Sequence, residues 1–256
     1  MKFRPCIDLH NGCVKQIVGS TLSDSKDDSL LTNFVSEKPA SWFAEKYRND
    51  KALGGHIIRL GPGNDEAASQ ALSAWPGGMQ LGGGISSENA VEWLNRGASA
   101  VIITSHVFEN GSVHMGRLQK ICELVGKEKL VLDLSCRKQN GQYKIVTNRW
   151  QEFTDVEVSP SSLDFFSDYC SEFLVHAVDV EGKSSGIETD LAKLLGNWAK
   201  IPITYAGGIR DQSDIKSIEK LGNGKIDYTV GSALDLFGGK GLNYSDLINR
   251  NGNYSA

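Results

Sequence analysis

Two stretches of this chain repeat one another at a spacing close to half its length, and nothing else in the sequence narrows the possible folds as much. CIDLH around Asp8 resembles VLDLS around Asp133, 125 positions further on. Gly83-Gly84-Ile85 recurs as Gly207-Gly208-Ile209, 124 positions on. Each glycine pair precedes a helical pattern that ends in glycine, at Gly97 and Gly222. The strand end at Thr104-Ser105 then matches Gly231-Ser232, with the serines 127 positions apart. Four landmarks in one order at nearly constant offset, within 256 residues, describe a duplicated half-unit.

Short apolar runs predict eight strands, at residues 2–9, 56–60, 79–82, 100–104, 130–134, 173–178, 203–206 and 228–230. VIIT and LVLDL are almost continuously apolar, as strands covered on both faces are. Helical periodicity fills residues 41–50, 64–75, 86–96 and 211–221. The third of these opens on serines suited to N-caps, the fourth on an Asp-x-x-Asp variant of the capping box. Alternating strands and helices imply βαβ units, and eight units suit a chain of this size. The fold expected is α/β, a (β/α)₈ TIM barrel occupying residues 1–256 as one domain, with half-barrels at about 1–125 and 126–256. An open doubly wound sheet is the alternative, but it calls for a glycine-rich dinucleotide turn after the first strand, which this chain lacks. Two polar stretches, 20–39 and 137–160, predict long loops leaving the C-terminal ends of strands one and five, the second with a small hairpin at 143–146.

Barrel active sites lie at the C-terminal ends of the strands, which places Asp8 and Asp133 across one mouth. Alone, either could equally be a structural carboxylate or an N-cap. As an equivalent pair they suit acid–base chemistry, one ionised and one protonated, if their surroundings separate their pKa values. The glycine turns let backbone N–H groups approach a phosphate, and Ser105 and Ser232 add hydroxyl donors. A tight βα turn would also need glycine, but two copies, each followed by a strand ending in serine, favour two phosphate sites. Two cradles about a barrel diameter apart, with carboxylates between them, suggest a long bisphosphate substrate and proton transfer without metal or cofactor.

Composition removes other classes. A net charge of −4 argues against a nucleic-acid partner. No run of eighteen apolar residues exists, so no membrane span is expected. MKFRPCIDLH lacks a signal-peptide pattern, which points to the cytoplasm, or to a plastid if a transit peptide has been removed. Five cysteines without a CxxC pair read as packing residues of a reduced protein. The histidines show no metal-ligand spacing, and His56 and His176, on strands, read as buried core residues. A monomer is the expected state.

The segments CIDLHNGCVKQIVG, HIIRLGPGNDEAA, MQLGGGI, VLDLSCRK, FLVHAVDVEGKSSGI, ITYAGGI and VGSALDLFGG resemble the phosphoribosylformimino-aminoimidazole-carboxamide ribotide isomerases of histidine biosynthesis, in their eukaryotic-type branch. They span nearly the whole chain. The resemblance implies an Amadori rearrangement of an aminoaldose to an aminoketose, with Asp133 protonating the ribose ring oxygen and Asp8 removing the C2 proton, and no cofactor. It implies phosphate binding at Gly83, Gly84 and Ser105 and at Gly208, Gly231 and Ser232. Lys15, Arg137 and Trp150 are further candidates: the lysine and arginine for a phosphate, the tryptophan for stacking on the imidazole ring as a lid closes. Two positions depart from the bacterial pattern. The sixth strand reads His176-Ala177-Val178-Asp179 where a threonine is usual, leaving Asp179 or Ser184 as candidate substitutes. Arg59 stands where an aspartate is usual, and is expected to pair with an acidic neighbour or to bind substrate. The competing functions are the sister imidazole glycerol phosphate synthase cyclase, which needs a glutaminase partner, and a non-catalytic sugar-phosphate-binding protein.

Overall fold

In the computed structural model, residues 1–18 and 32–253 are described. The chain begins with β1 (Cys6–His10), β2 (Cys13–Ile17), β3 (Thr32–Val35), α1 (Ala40–Asn49), β4 (Gly55–Arg59), α2 (Asp65–Ala74), β5 (Met79–Gly82), α3 (Ala90–Asn95) and β6 (Val101–Ile103). A short hairpin, β7 (Phe108–Glu109) and β8 (Ser112–Val113), leads to α4 (Met115–Val125) and β9 (Leu130–Asp133). Then come β10 (Cys136–Gln139), β11 (Gln142–Thr147), β12 (Glu152–Glu157), α5 (Pro160–Ser167), β13 (Glu172–His176) and α6 (Thr189–Trp198). The last elements are β14 (Ile203–Ala206), α7 (Gln212–Leu221), β15 (Asp227–Tyr228) and α8 (Tyr244–Asn253).

Eight strands run parallel in the order β1-β4-β5-β6-β9-β13-β14-β15. The sheet closes on itself where Phe3 bridges Tyr228 in parallel register. Arg4 N donates to Tyr228 O at 2.8 Å and Tyr228 N donates to Lys2 O at 3.0 Å across that seam. Each barrel strand is followed by a helix, so the fold is the expected (β/α)₈ barrel.

Strand residues alternate between faces. One face packs under the helices, where Ile7, Leu9, Ile57, Leu81, Val101, Ile103, Leu132, Phe173 and Val175 are all nearly inaccessible. The other face fills the barrel. Ala100, Ile102, Val131 and Leu174 form a separate apolar plug there, with Ile58 against it. Below the plug, Glu172 at the start of β13 accepts from Gln80 Nε2 at 2.9 Å and Thr204 Oγ1 at 3.0 Å, with Arg4 at 3.9 Å. Two residues further along the same face from Leu174 comes His176, and two beyond Val131 comes Asp133. The apolar plug thus separates a polar base from a polar mouth.

Three local expectations change. The helix predicted from residue 86 begins only at Ala90; Ser86–Asn89 form a turn instead, in which Asn89 Oδ1 accepts from Ser86 N at 3.0 Å. In α7, Asp211 caps Ser213 N and Asp214 N, but Asp214 turns away to bind Arg210 through N and Nε, so the capping box is not closed. The stretch after β9 is no plain loop with a small hairpin but a three-stranded antiparallel sheet, β10-β11-β12. Of the loop expected at 20–39, residues 20–31 lie outside the described residues, and Thr32–Val35 is a strand paired with β2.

Candidate active site

Asp8 and Asp133 both stand at the C-terminal mouth, on strands one and five of the eight. Both act on the imidazole of His176, so they share one chamber. Their immediate partners differ. Asp8 Oδ2 accepts from Gln16 Nε2 at 3.0 Å, from the antiparallel strand β2 that folds back over β1. Asp133 Oδ1 accepts from Ser135 N at 2.8 Å and Ser135 Oγ at 2.5 Å, and His176 Nδ1 lies 3.8 Å away.

Those partners push the two carboxyls in opposite directions. Burial dominates at Asp8 and raises its pKa, against weaker opposition from His176 and the Gln16 bond. Burial also works against the charge on Asp133, but there the bond and charge of His176, with both Ser135 donors, outweigh it and hold the carboxyl below its usual range. His176 shows the reciprocal effect: burial opposes its charge, and Asp133, Glu181 and Asp8 together raise it above an ordinary histidine. Glu181 is raised, chiefly by burial, with Asp8 adding to the rise and His176 opposing it. His56, whose ring meets that of His176 edge-on at 6.3 Å, is driven down to about 3 by burial and stays neutral.

The two glycine turns sit on opposite sides of the barrel, after β5 and β14, the third and seventh of its eight strands. Gly83 and Gly84 take φ of +86° and +67°, Gly207 and Gly208 +111° and +75°. The first glycine of each pair lies hard against the end of the preceding barrel strand. A Cβ on Gly83 would come within 2.1 Å of Arg59 O, and one on Gly207 within 2.7 Å of Ala177 O. Only glycine permits both the left-handed backbone and that approach. Gly208, Gly231 and Ser232 line one concavity together with Glu181, Ser184 and Thr229. Asn33 Nδ2, from β3, donates to Ser232 Oγ at 2.8 Å. In the other half, Ser105 Oγ accepts from Asn148 N at 2.9 Å, which ties the segment after β11 to the end of β6.

Trp150, in that segment, packs on His176 with ring centroids 5.4 Å apart. Asn148, Arg149 and Trp150 are consecutive residues at φ of +50°, +57° and +65°. Three such residues in a row store strain, each costing roughly 1–2 kcal/mol for an L side chain. Lys15 Nζ lies 3.2 Å from His10 Nδ1. Arg137 is bound to Asp179 at 2.9 Å and lies over Phe153. Asp179 also accepts from Lys138 N, so it is engaged by β10 rather than by the carboxylate pair. Arg59 pairs with Asp65 at 2.6 Å, donates to Gly83 O at 2.6 Å and stacks on Trp93, as the acidic-neighbour reading expects.

Reading the sequence alone missed Gln16, Ser135, His176 and Glu181. His176 is buried and hydrogen-bonded, as read, but it belongs to the mouth beside Asp133 and not merely to the core. The signal was present: His176 ends an apolar strand just as Asp133 does.

A closed parallel barrel whose mouth carries paired carboxylates and glycine turns defines a barrel enzyme. Residues 2–240 match the family described as histidine biosynthesis protein. Relatives named 1-(5-phosphoribosyl)-5-((5-phosphoribosylamino)methylideneamino)imidazole-4-carboxamide isomerase are similar over nearly the whole chain. The chloroplastic one from Medicago truncatula is 51% identical, covering 97% of this chain and 81% of its own. Those from Neurospora crassa and Saccharomyces cerevisiae are 50% and 45% identical, each covering 98% of both chains. The chain belongs to the histidine biosynthesis protein family.

Proposed function

We propose that this protein is the isomerase its relatives are named for, converting an aminoaldose bisphosphate to an aminoketose by an Amadori rearrangement. The observation that carries this reading is identity of 45–51% along almost the full chain to relatives bearing that one name. The geometry supplies what the reaction requires. Asp8 removes the proton from C2; burial raises its pKa toward neutrality, where a carboxylate is a stronger base. Asp133 delivers a proton to the ribose ring oxygen. The ring C–O bond breaks as the anomeric nitrogen forms an imine, and loss of the C2 proton gives the enolamine that becomes the ketone. One phosphate sits at Gly83, Gly84 and Ser105, the other at Gly208, Gly231 and Ser232. Trp150 stacks on the imidazole, and Lys15 and Arg137 stand at the rim.

On the same reading the chain is one domain, two half-barrels at about 1–125 and 126–256 arising from duplication. It works as a monomer on a small molecule, without nucleic acid, in the cytoplasm or a plastid. No helix among the described residues is long and apolar enough to cross a membrane. The test is conversion of the aminoaldose bisphosphate in metal-free buffer, followed by absorbance, with Asp8→Asn and Asp133→Asn alongside. Turnover in the wild type that both variants lose is the expected result. Tight binding without turnover would mean a sugar-phosphate-binding protein, and dependence on a glutaminase partner would mean the sister cyclase.

A further inference from the structure

His176 lies at the centre of the mouth, yet the two-aspartate scheme leaves it without a task. It is 9% exposed and faces three carboxyl groups from three directions: Asp133 on β9, Asp8 on β1 and Glu181 after its own strand. The other groups around it are the neutral His56 ring on β4, the Ser135 hydroxyl and the Trp150 ring. No cation packs against it among these. Ser135 Oγ bridges it to Asp133, 3.1 Å from His176 Nδ1 and 2.5 Å from Asp133 Oδ1.

A hydroxyl has one proton to give. Ser135 gives it to Asp133, since a carboxylate oxygen cannot donate. The contact with His176 must then run the other way, with Nδ1–H donating to Ser135 Oγ. The chain of bonds is therefore directional, from imidazole N–H through the hydroxyl to the carboxylate. Asp133 meanwhile has a problem as an acid. Its surroundings hold it ionised, and a carboxylate has no proton to deliver.

We infer that His176 is the proton store behind Asp133: its imidazolium releases the Nδ1 proton to Ser135 Oγ as Ser135 passes its own to Asp133, which protonates the ribose ring oxygen. This rests on the isomerase reading. The protons balance. The ring oxygen gains one and the C–O bond electrons; the anomeric nitrogen lone pair forms the C=N bond; His176 is left neutral. Later Asp8, which took the C2 proton, gives it to C1, and the C2 hydroxyl loses its proton as the ketone forms, recharging the His176–Ser135–Asp133 chain. His176 acts through Asp133 and is in that sense a positioning residue. Its position corresponds to the strand end where the bacterial pattern differs, and it fills the place that Asp179, bound to Arg137, does not.

The test is His176→Asn, which keeps an amide donor near the Nδ1 position but cannot titrate. The wild type is expected to lose kcat as pH rises through the pair's upper pKa, because the imidazolium is gone. In His176→Asn the proton must come from Asp133 itself, so kcat at pH 7 should fall by about a hundredfold or more, KM should hold within about threefold, and the optimum should move to the acid side. A purely structural histidine would lower stability and leave the shape of the pH profile alone. An unchanged profile with kcat within about threefold of wild type overturns the inference while leaving the isomerase reading intact. Failure of the wild type to turn over overturns that reading instead. Should His176→Asn not fold, NMR titration of the wild-type imidazoles decides. One is expected to titrate above the ordinary histidine value and to drop in Asp133→Asn; absence of such a resonance refutes the pairing.

Discussion

Gly83→Ala and Gly84→Ala change adjacent residues by the same methyl group, and the structure predicts that they fail in different ways. Both residues have positive φ, so each alanine incurs the left-handed cost of roughly 1–2 kcal/mol, reduced by about 0.4–1 kcal/mol through restriction of the unfolded chain. For Gly84 the cost ends there. The nearest atom to its added Cβ is Arg59 NH2 at 3.9 Å, an ordinary contact with the tip of a side chain. For Gly83 the Cβ would meet Arg59 O at 2.1 Å and Arg59 N at 2.7 Å, both main-chain atoms of a barrel strand. The turn has to move off the strand. That adds overpacking strain of about 1–3 kcal/mol and strains the Arg59–Gly83 hydrogen bond, whose loss costs about 1.5–3 kcal/mol for a charged donor. The expected losses are about 1 kcal/mol for Gly84→Ala and about 3–6 kcal/mol for Gly83→Ala.

Urea unfolding followed by tryptophan fluorescence separates these. With a slope of about 3 kcal/mol/M for a chain of this size, the midpoint moves by about 0.3 M for Gly84→Ala and by at least about 1 M for Gly83→Ala. The kinetic effects should invert. The Gly84 methyl projects into open space where a phosphate is proposed to sit, so KM should rise about tenfold or more, the value of one charge-assisted bond. Equal midpoints for the two variants, or a larger loss at Gly84, would refute the close-approach argument. Unchanged KM at Gly84 would remove that residue from the phosphate site.

Glu172→Ala, at the opposite end of the barrel from the mouth, leaves Gln80 Nε2 and Thr204 Oγ1 without their acceptor, while Arg4 keeps Asp227, and should cost about 2–6 kcal/mol by calorimetry, about 1–3 kcal/mol for each buried donor, with no change in KM. Asp8→Asn should abolish turnover and yet raise Tm at pH 7. A carboxyl whose folded pKa is raised loses stability as pH climbs from 3.8 to the folded value and carries that cost above it, so the neutral amide removes it. The gain should vanish below pH 3.8, and a lower Tm at pH 7 would contradict the burial-driven shift. Trp150→Ala should raise KM by about 2- to 13-fold, from the 0.5–1.5 kcal/mol of an aromatic stack, and an unchanged KM would confine Trp150 to anchoring the loop on His176.

The barrel was legible because its strands are short, apolar and evenly spaced, and because the repeat says how the first half relates to the second. The eight strands lie where the runs of residues predict them, within a few positions. Four helices, at Met115–Val125, Pro160–Ser167, Thr189–Trp198 and Tyr244–Asn253, were not delimited in the sequence, although each buries an apolar pair at helical spacing, such as Leu118 and Ile121 or Leu191 and Leu195, and leaves polar residues such as Lys120, Asp164 and Lys193 exposed. The β10-β11-β12 sheet was half-seen: Tyr143–Val146 is apolar enough to read as a strand, but β12, GluPheThrAspValGlu, is polar on most of its length and pairs only because β11 is already there. Ser86 misled because a serine before an apolar run is a good N-cap, whereas here Asn89 uses Ser86 N to build a turn that delays the helix.

The limit of the sequence at the site is more instructive. Repetition identifies Asp8 and Asp133 as counterparts and so treats them as alike, but acid–base catalysis needs them to be unlike. What distinguishes them is not repeated. Asp8 is followed on its own strand by Leu9 and His10 and finds Gln16 only through the β1–β2 turn, a neutral donor that leaves burial in charge. Asp133 has Ser135 two residues on and His176 from the adjacent strand, a pairing set by the Leu174–Asp133 register. No local pattern shows that register, so the histidine reads as core until the strands are placed side by side. If the barrel arose by duplication, as proposed, its two carboxylates began equivalent, and the substitutions that specialised them lie in their partners, Gln16 for the one and Ser135 and His176 for the other, and not in the pair.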